Sequence, residues 1–191
     1  MSENVYAPPV APLMPHAERP GEFYVISPGK LLMLLIFSFG LFFYYWSFKN
    51  WSLYKRETQT DIWPWARGFF YIFFIHKLYR RADEKIRHSG LTQKWDFEQW
   101  ATVFVVLTVV VNLLSTLTTR VNGFGFLAGW VLLILPLRAW VLSKSQPMLN
   151  AASNDPLGLS NSRFTAWNYL FMVPGLLLWA MTLIGFWARH R

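Results

Sequence analysis

The stretch QWATVFVVLTVVVNLLSTLTT, residues 99–119, decides the class of this protein. Its 21 residues carry no charge, and a helix of about 20 apolar residues crosses the hydrocarbon core of a bilayer, which is about 30 Å thick. The many Val and Thr residues would favour a strand in water. The length without a turn residue favours a helix instead, and a lone strand would leave its backbone groups unpaired in lipid.

The whole chain has the composition of a membrane protein. Of its 191 residues, 54% are apolar and 15% are charged, whereas about 25% are charged in soluble domains. Three other stretches match the first in length and apolarity, which predicts an all-α membrane protein with four transmembrane helices. The predicted spans cover about 31–48, 99–119, 121–143 and 164–188, within a helical membrane domain of residues 30–191. Residues 1–29 contain six Pro and are predicted to form a flexible N-terminal tail.

A fifth apolar stretch, residues 62–75, is shorter and is interrupted by Pro64, Arg67 and Gly68. A run of 14 residues is typical of an interfacial or re-entrant segment. We predict one cytoplasmic amphipathic or re-entrant helix over about 65–87, apolar in its first half and basic in its second half. The alternative is a short, tilted fifth span.

The distribution of Lys and Arg distinguishes these alternatives. With four spans, 13 of the 18 basic residues fall on one side of the membrane and 5 on the other, and a fifth span would erase this asymmetry. Because cytoplasmic loops are enriched in Lys and Arg, the loop between the first two spans and the loop between the last two are assigned to the cytoplasm. The chain is therefore predicted to be a multi-pass protein with both termini outside.

Polar residues of the second span share one face of the predicted helix. Spacings of three and four place Thr108, Asn112, Ser115 and Thr116 together. Because an amide facing lipid would be unpaired, we expect this face to meet another helix or a water-filled cavity. Helix–helix hydrogen bonding is the structural explanation, and a substrate or ion path is the functional one.

Two features of the third predicted span bear on its surroundings. Gly125 and Gly129 are four residues apart, a spacing that allows another helix to approach closely, although it also occurs by chance. Arg138 follows near the predicted cytoplasmic end of the span, where its side chain would extend to the headgroups. This position would account for a charged residue in the span without assigning it a functional role.

The second half of the fifth stretch is strongly basic. Each Lys or Arg close to an anionic leaflet adds about 1 kcal/mol of attraction, so we predict that this segment docks on lipid headgroups, with an acidic partner as the alternative. Asp83 and Glu84 partly offset the attraction by local pairing. The basic residues concerned are Lys77, Arg80, Arg81, Lys85 and Arg87.

The sequence contains no recognisable catalytic or metal-binding pattern. Its four His residues are scattered, and it has no P-loop, nucleophile elbow or dinucleotide-binding turn. Because Cys is absent, thiolate metal sites and thiol nucleophiles are excluded. We predict a non-enzyme without catalytic residues, metal, cofactor or nucleic-acid partner.

Three stretches of the chain carry a family resemblance. They are FYVISPGKLLMLLIFSFGLFFYYWSFKNW (23–51), IWPWARGFFYIFFIHKLYRR (62–81) and NDPLGLSNSRFTAWNYLFMVPGLLLW (154–179). Together they resemble a family of small, uncharacterised polytopic inner-membrane proteins from pseudomonads and related bacteria. The resemblance implies a bacterial inner (plasma) membrane, and hence periplasmic termini, but it implies no activity and no site residues.

Three functional hypotheses follow. The first is a non-catalytic interaction protein, either an accessory subunit or an immunity-type protein against a membrane-acting toxin, whose partners are membrane lipids and a membrane protein or a second copy of the chain. The second is a small transporter or channel component that uses the polar face of the second span. The third is a lipid-acting membrane enzyme with Asp83, Glu84 or His88 as its acid–base group.

Overall fold

The computed structural model of the chain describes residues 21–90, 95–120 and 128–189. The all-α expectation is confirmed for these residues, among which no β-strand is present. The seven α-helices of this part of the chain are α1 (Pro28–Phe37), α2 (Phe42–Thr58), α3 (Pro64–Phe69), α4 (Tyr71–His88), α5 (Phe97–Arg120), α6 (Ala128–Ala151) and α7 (Ala166–Arg189). A 3₁₀ turn at Leu159–Asn161 precedes α7.

The first two helices form a hairpin alongside α6. Just before α1, the backbone N–H of Ile26 donates to the side chain of Asn150 (3.2 Å), whereas the turn after α1 lies against Leu135. Helix α1 therefore runs antiparallel to α6. Helix α2 returns along α6, and the indole of Trp46 donates to the side-chain oxygen of Gln146 (2.8 Å).

The next two helices form a second hairpin against the first. Helix α3 runs antiparallel to α2, with ring centroids 4.3 Å apart for Phe48 and Trp65 and 6.0 Å apart for Tyr44 and Phe69. Helix α4 then returns beside α5 and α6. Both hairpins consequently turn at the same depth in the bundle.

The first hairpin differs from the prediction of one helix over residues 31–48. The N–H of Gly40 donates to the carbonyl of Leu35 (2.9 Å), and the N–H of Phe39 donates to that of Ile36 (3.0 Å). This pattern is a Schellman helix end, which requires a left-handed residue after the last turn. Phe39 and Gly40 have φ values of 54° and 82°, so the chain leaves helical geometry here and reverses direction.

The second hairpin replaces the single helix predicted over 65–87. The chain is divided at Phe70, whose φ and ψ are −92° and 37°. Helix α3 lies very close to α2, since a Cβ at Gly68 would lie 2.7 Å from the Cβ of Phe48. The close packing of α3 on α2, followed by the break, produces a short hairpin where we expected one continuous helix.

Three long helices accompany the hairpins. Helices α5, α6 and α7 have 24 residues each, which corresponds to about 36 Å. Among the described residues, α5 and α7 are the two helices that are long and apolar enough to cross a membrane. They match the predicted spans 99–119 and 164–188 within two residues at each end. Helix α6 covers the later part of the predicted span 121–143, whose residues 121–127 lie outside the described residues.

An extended segment, residues 21–27, is inserted between α2 and α6. Phe23 and Ile26 are 1% and 0% exposed. Side-chain amides satisfy the backbone of the segment: Asn150 also donates to the carbonyl of Ile26 (2.9 Å), and Gln146 donates to that of Tyr24 (2.8 Å). The predicted tail 1–29 is therefore too long at its C-terminal end; residues 1–20 lie outside the described residues.

Candidate functional site

A cavity of about 560 Å³ lies beyond the turn of the first hairpin, between α5, α6 and α7. Helix α7 packs chiefly against α1, which ends halfway along it at Gly175. Past that point, no hairpin of the described residues fills the space between α7 and the α5–α6 pair. The cavity thus exists because the first hairpin extends only halfway along α7.

The cavity combines polar and apolar walls. Asn112, Ser115 and Thr182 contribute polar atoms, and Leu135 and Trp179 contribute apolar surface. The hydroxyl of Thr182 donates to a carbonyl of its own helix (2.7 Å), as Thr side chains in apolar helices commonly do. The oxygen of this hydroxyl still offers lone pairs to a guest.

Arg138 lies at the floor of the cavity and is the main finding of this site. Only 7% of its surface is exposed. One terminal nitrogen donates to the hydroxyl of Tyr71 (2.8 Å), and the guanidinium carbon lies 4.8 Å and 5.6 Å from the ring centroids of Phe43 and Phe104. The Nε atom is buried without a hydrogen-bond partner. No carboxylate of the described residues forms an ion pair with Arg138.

This environment differs from the expectation that Arg138 reaches the headgroups. The guanidinium is held among aromatic rings, and the positive charge is partly stabilised by cation–π contacts. Sequence reasoning missed the site because it considered Arg138 alone. The available signal was an Arg within an apolar helix, when no predicted span contains an acidic residue that could pair with it. An ionisable residue in such a position indicates a functional site.

The polar face predicted on the second span is divided between the cavity and other surroundings. Asn112 and Ser115 line the cavity. Thr108 is buried and donates to the carbonyl of Phe104 (2.8 Å), so it serves the helix itself. Thr116 is exposed, donates to the carbonyl of Asn112 (2.9 Å) and is not part of the cavity wall.

Of the predicted glycine pair, only one member can be placed. Gly125 lies outside the described residues. A Cβ at Gly129 would lie 3.9 Å from the ring of Phe186 on α7, which is ordinary packing distance. Since Phe186 also lines the cavity, the contact between α6 and α7 borders its outer end.

The basic residues of α4 are largely engaged with carboxylates. Lys77 is exposed. The ion pairs are Arg80–Glu98 (3.8 Å), Arg81–Glu84 (2.8 Å), Lys85–Glu22 (2.6 Å) and Arg87–Asp83 (2.8 Å). Such local pairing neutralises much of the positive charge that the sequence assigned to headgroup docking.

The acidic residues that the structure describes lie outside the cavity wall. Glu98, at the start of α5, is 14 residues from Asn112, or about 21 Å along the helix. In the loop before α7, backbone hydrogen bonds from Ser160 and Leu159 lower the pKa of Asp155. At the same end of the molecule, burial raises the pKa of Tyr24 to about 12. The described residues contain no group of three His, Asp or Glu that could hold a metal ion.

Comparison with family models, with curated proteins and with solved structures finds no match to this chain. The resemblance to inner-membrane proteins of pseudomonads therefore stays a prediction. The functional argument rests on the cavity and on Arg138.

Proposed function

We propose that this chain is a non-catalytic integral protein of a bacterial inner membrane, and that it acts by binding a guest in the cavity between α5, α6 and α7. The observation that carries the proposal is the buried Arg138 at the floor of an otherwise open cavity, without a carboxylate partner among the described residues. Such a cation is a binding group that lacks its counterpart. An accessory subunit or an immunity-type protein would use such a site to hold its partner.

The chemistry of the cavity supports binding rather than catalysis. Its polar side chains are chiefly Thr, Ser, Asn, Tyr and Arg, and the described residues that line it include no His or carboxylate, the side chains that most often act as general acids and bases. Asp83 and Glu84, the acid–base candidates of the enzyme hypothesis, are paired with Arg87 and Arg81. His88 is exposed at the end of α4 that is distant from the cavity.

The proposal includes a membrane topology with three crossings, through α5, α6 and α7. Helix α6 is included because residues 121–137, which lead into its second half, carry no charge. Both hairpins enter from the cytoplasmic side and turn back at half depth. Leaving aside Arg138, this arrangement has 14 basic residues on the cytoplasmic side and 3 on the periplasmic side. That asymmetry exceeds the 12 to 5 that four spans with both termini in the periplasm, the alternative topology, give when Arg138 is likewise left aside.

A photo-reactive phenylalanine analogue tests whether the cavity is occupied in native membranes. We expect the analogue at Phe186, an aromatic side chain that already lines the cavity, to form a specific adduct without filling the cavity, and mass spectrometry of the intact protein resolves this adduct. Trp187 is the matched control, because it is the adjacent aromatic residue and lies outside the cavity wall. Equal adducts from both positions, or none from Phe186, would contradict the proposal.

A transport role is the second candidate, and the polar wall of α5 is the observation that favours it. Below the cavity, the path toward the cytoplasmic side is occupied by the stacked rings of Phe43 and Tyr71, whose centroids are 5.8 Å apart. A transporter must therefore move these rings. Solute flux in proteoliposomes that Asn112→Leu abolishes would support this role, and flux that is insensitive to the substitution would exclude the α5 face as its path.

A further inference from the structure

We propose that the guest of the cavity is an anionic amphiphile, whose carboxylate or phosphate group pairs with Arg138 and whose apolar part lies against the aliphatic and aromatic wall. The inference rests on the proposed function, since it assumes that the cavity is a binding site. It adds the chemical class of the guest.

The charge of the guest follows from the state of Arg138. Because Arg138 is only 7% exposed, its guanidinium has lost most of its hydration. The cation–π contacts and the single hydrogen bond to the Tyr71 hydroxyl do not satisfy its five N–H donors. Its buried Nε has no partner. The planar fork of a guanidinium fits the two oxygens of a carboxylate or phosphate, and such charge-assisted bonds are the strongest that Arg forms.

The amphiphilic character follows from the walls. A volume of about 560 Å³ far exceeds that of a small inorganic anion and lies in the usual range for organic ligands. Apolar side chains of α6 and α7, such as Leu132, Leu135 and Trp179, line the cavity together with the hydroxyls of α5. An apolar chain attached to the anion would cover this surface.

The access path follows from the packing of α7. This helix packs chiefly against α1, and its second half shares the cavity wall with α5 and α6, with no hairpin of the described residues between them. Its outward side chains, such as Leu177 and Ile184, are exposed, as expected for a lipid-facing helix. A molecule dissolved in the outer leaflet can thus enter from the bilayer, whereas a water-soluble ion would enter from the periplasm.

Equilibrium binding to the full chain in phosphatidylcholine nanodiscs tests the inference. The probe is radiolabelled decanoate, and the competitors are decanol, which has the same chain without charge, and inorganic phosphate, which has charge without a chain. We expect saturable binding of decanoate, competition by decanol that is at least about tenfold weaker, and no competition by phosphate. Equal competition by decanol would show that the site does not require an anionic group. Equal competition by phosphate would show that it does not require an apolar chain.

Variants locate the site. Arg138→Gln should weaken decanoate binding by about tenfold or more, and Arg138→Lys, which keeps the charge without the fork, should weaken it less. Arg80→Gln, on the surface of α4, is the charge control and should leave binding unchanged. If Arg138→Gln does not fold, the pair Ser115→Leu and Thr116→Leu still decides, because only the first narrows the cavity. Unchanged binding in Arg138→Gln or in Ser115→Leu would overturn the inference.

The photo-cross-linking result separates this inference from the proposed function. A protein adduct from the photo-reactive analogue at Phe186, together with no saturable decanoate binding, would support the cavity as a binding site but would overturn the inference that its guest is an amphiphile. The absence of both overturns the two proposals together.

Discussion

Asn150 shows how much of this fold depends on single buried amides. Its side chain is 0% exposed, accepts the N–H of Ile26 and donates to the carbonyl of the same residue. It also accepts from Gln146 (2.8 Å). Asn150→Ala would leave both backbone groups of Ile26 buried and unpaired, and each such group costs about 1–3 kcal/mol.

We therefore expect Asn150→Ala to lower the free energy of unfolding by about 3 kcal/mol. Chemical denaturation in detergent micelles, followed by circular dichroism, measures this change. Gln99→Ala is the control, since Gln99 is exposed on the first turn of α5 and its loss should cost less than about 0.5 kcal/mol. Equal effects of the two substitutions would show that the extended segment is not held as described.

The hydrogen bonds of Asp155 lead us to expect that the stability of the fold depends on pH. One of its oxygens accepts the N–H of Leu159 (3.0 Å) and the other accepts that of Ser160 (2.9 Å), which lowers the pKa of the carboxyl group below its ordinary value of about 3.9. A group whose pKa is lower in the folded state stabilises the fold above its unfolded pKa, and the contribution is lost as the pH falls through the folded pKa.

Asp155→Asn should therefore lower the melting temperature at pH 7, and the difference from wild type should shrink as the pH falls below about 3.9. Melting curves of the two proteins in one detergent, between pH 7 and pH 3, check this. A difference that stays constant over this range would exclude the carboxylate charge as the cause.

At the scale of elements, the contact between α1 and α7 depends on one glycine. A Cβ at Gly175 would lie 2.2 Å from the carbonyl carbon of Ser38 and 2.3 Å from the carbonyl oxygen of Phe37, and both atoms belong to the backbone. Trp179, one turn further along α7, donates its indole N–H to the carbonyl of Ile36 (2.7 Å). The end of α1 and the middle of α7 thus touch backbone to backbone.

Gly175→Ala should separate α7 from α1 and lower the free energy of unfolding by about 3 kcal/mol, because backbone atoms cannot yield as side chains do. Gly185→Ala is the matched control on the same helix, since a Cβ there meets nothing within 4 Å. We expect the control to raise the free energy of unfolding slightly, by up to about 1 kcal/mol, because Ala is a better helix former than Gly. Denaturation of both variants under identical conditions makes the comparison, and a neutral Gly175→Ala would contradict the packing of α7 on α1.

The elements also show what periodicity and composition can predict. The long helices α5 and α7 were predicted within two residues at each end, because an uninterrupted apolar run between charged residues leaves few alternatives. The reversal at Phe39 and Gly40 was not predicted, since a Gly within an apolar run is common and Phe rarely takes a positive φ. The cavity depends on that reversal, and so its existence was not predictable from apolar runs alone.

The candidate residues show the same contrast: those that follow a local sequence pattern were predicted, and the one that depends on long-range contacts was not. The face containing Asn112 and Ser115 follows from helical spacing, and both residues line the cavity. Arg138 was interpreted from its position in the sequence, near the end of an apolar run. Its burial comes from Phe43 and Tyr71, which belong to two different hairpins, and such long-range contacts leave no local pattern in the sequence.

The described part of the molecule combines three helices of about 36 Å with two shorter hairpins, whose longer helices, α2 and α4, measure about 26 and 27 Å. The hairpins bring their aromatic turns to the level of Arg138, and their other ends join the amide network around Asn150. Among the residues that the structure describes, all seven helices contribute to one end of the bundle, and α5, α6 and α7 form the other. This difference places the polar cavity at the thinner end.

That arrangement makes a prediction about the side of the membrane on which the N-terminus lies. Because the chain has no native Cys, single cysteines can be introduced and probed with a membrane-impermeant maleimide. With three crossings and two re-entrant hairpins, Thr119→Cys should react in intact cells, whereas Ser2→Cys and Ser89→Cys should react only after the inner membrane is permeabilised. Four spans with periplasmic termini predict the same result at Thr119 and Ser89 but the opposite result at Ser2. Labelling of Ser2→Cys in intact cells would therefore require the first hairpin to open into a continuous span, which would remove the floor of the cavity.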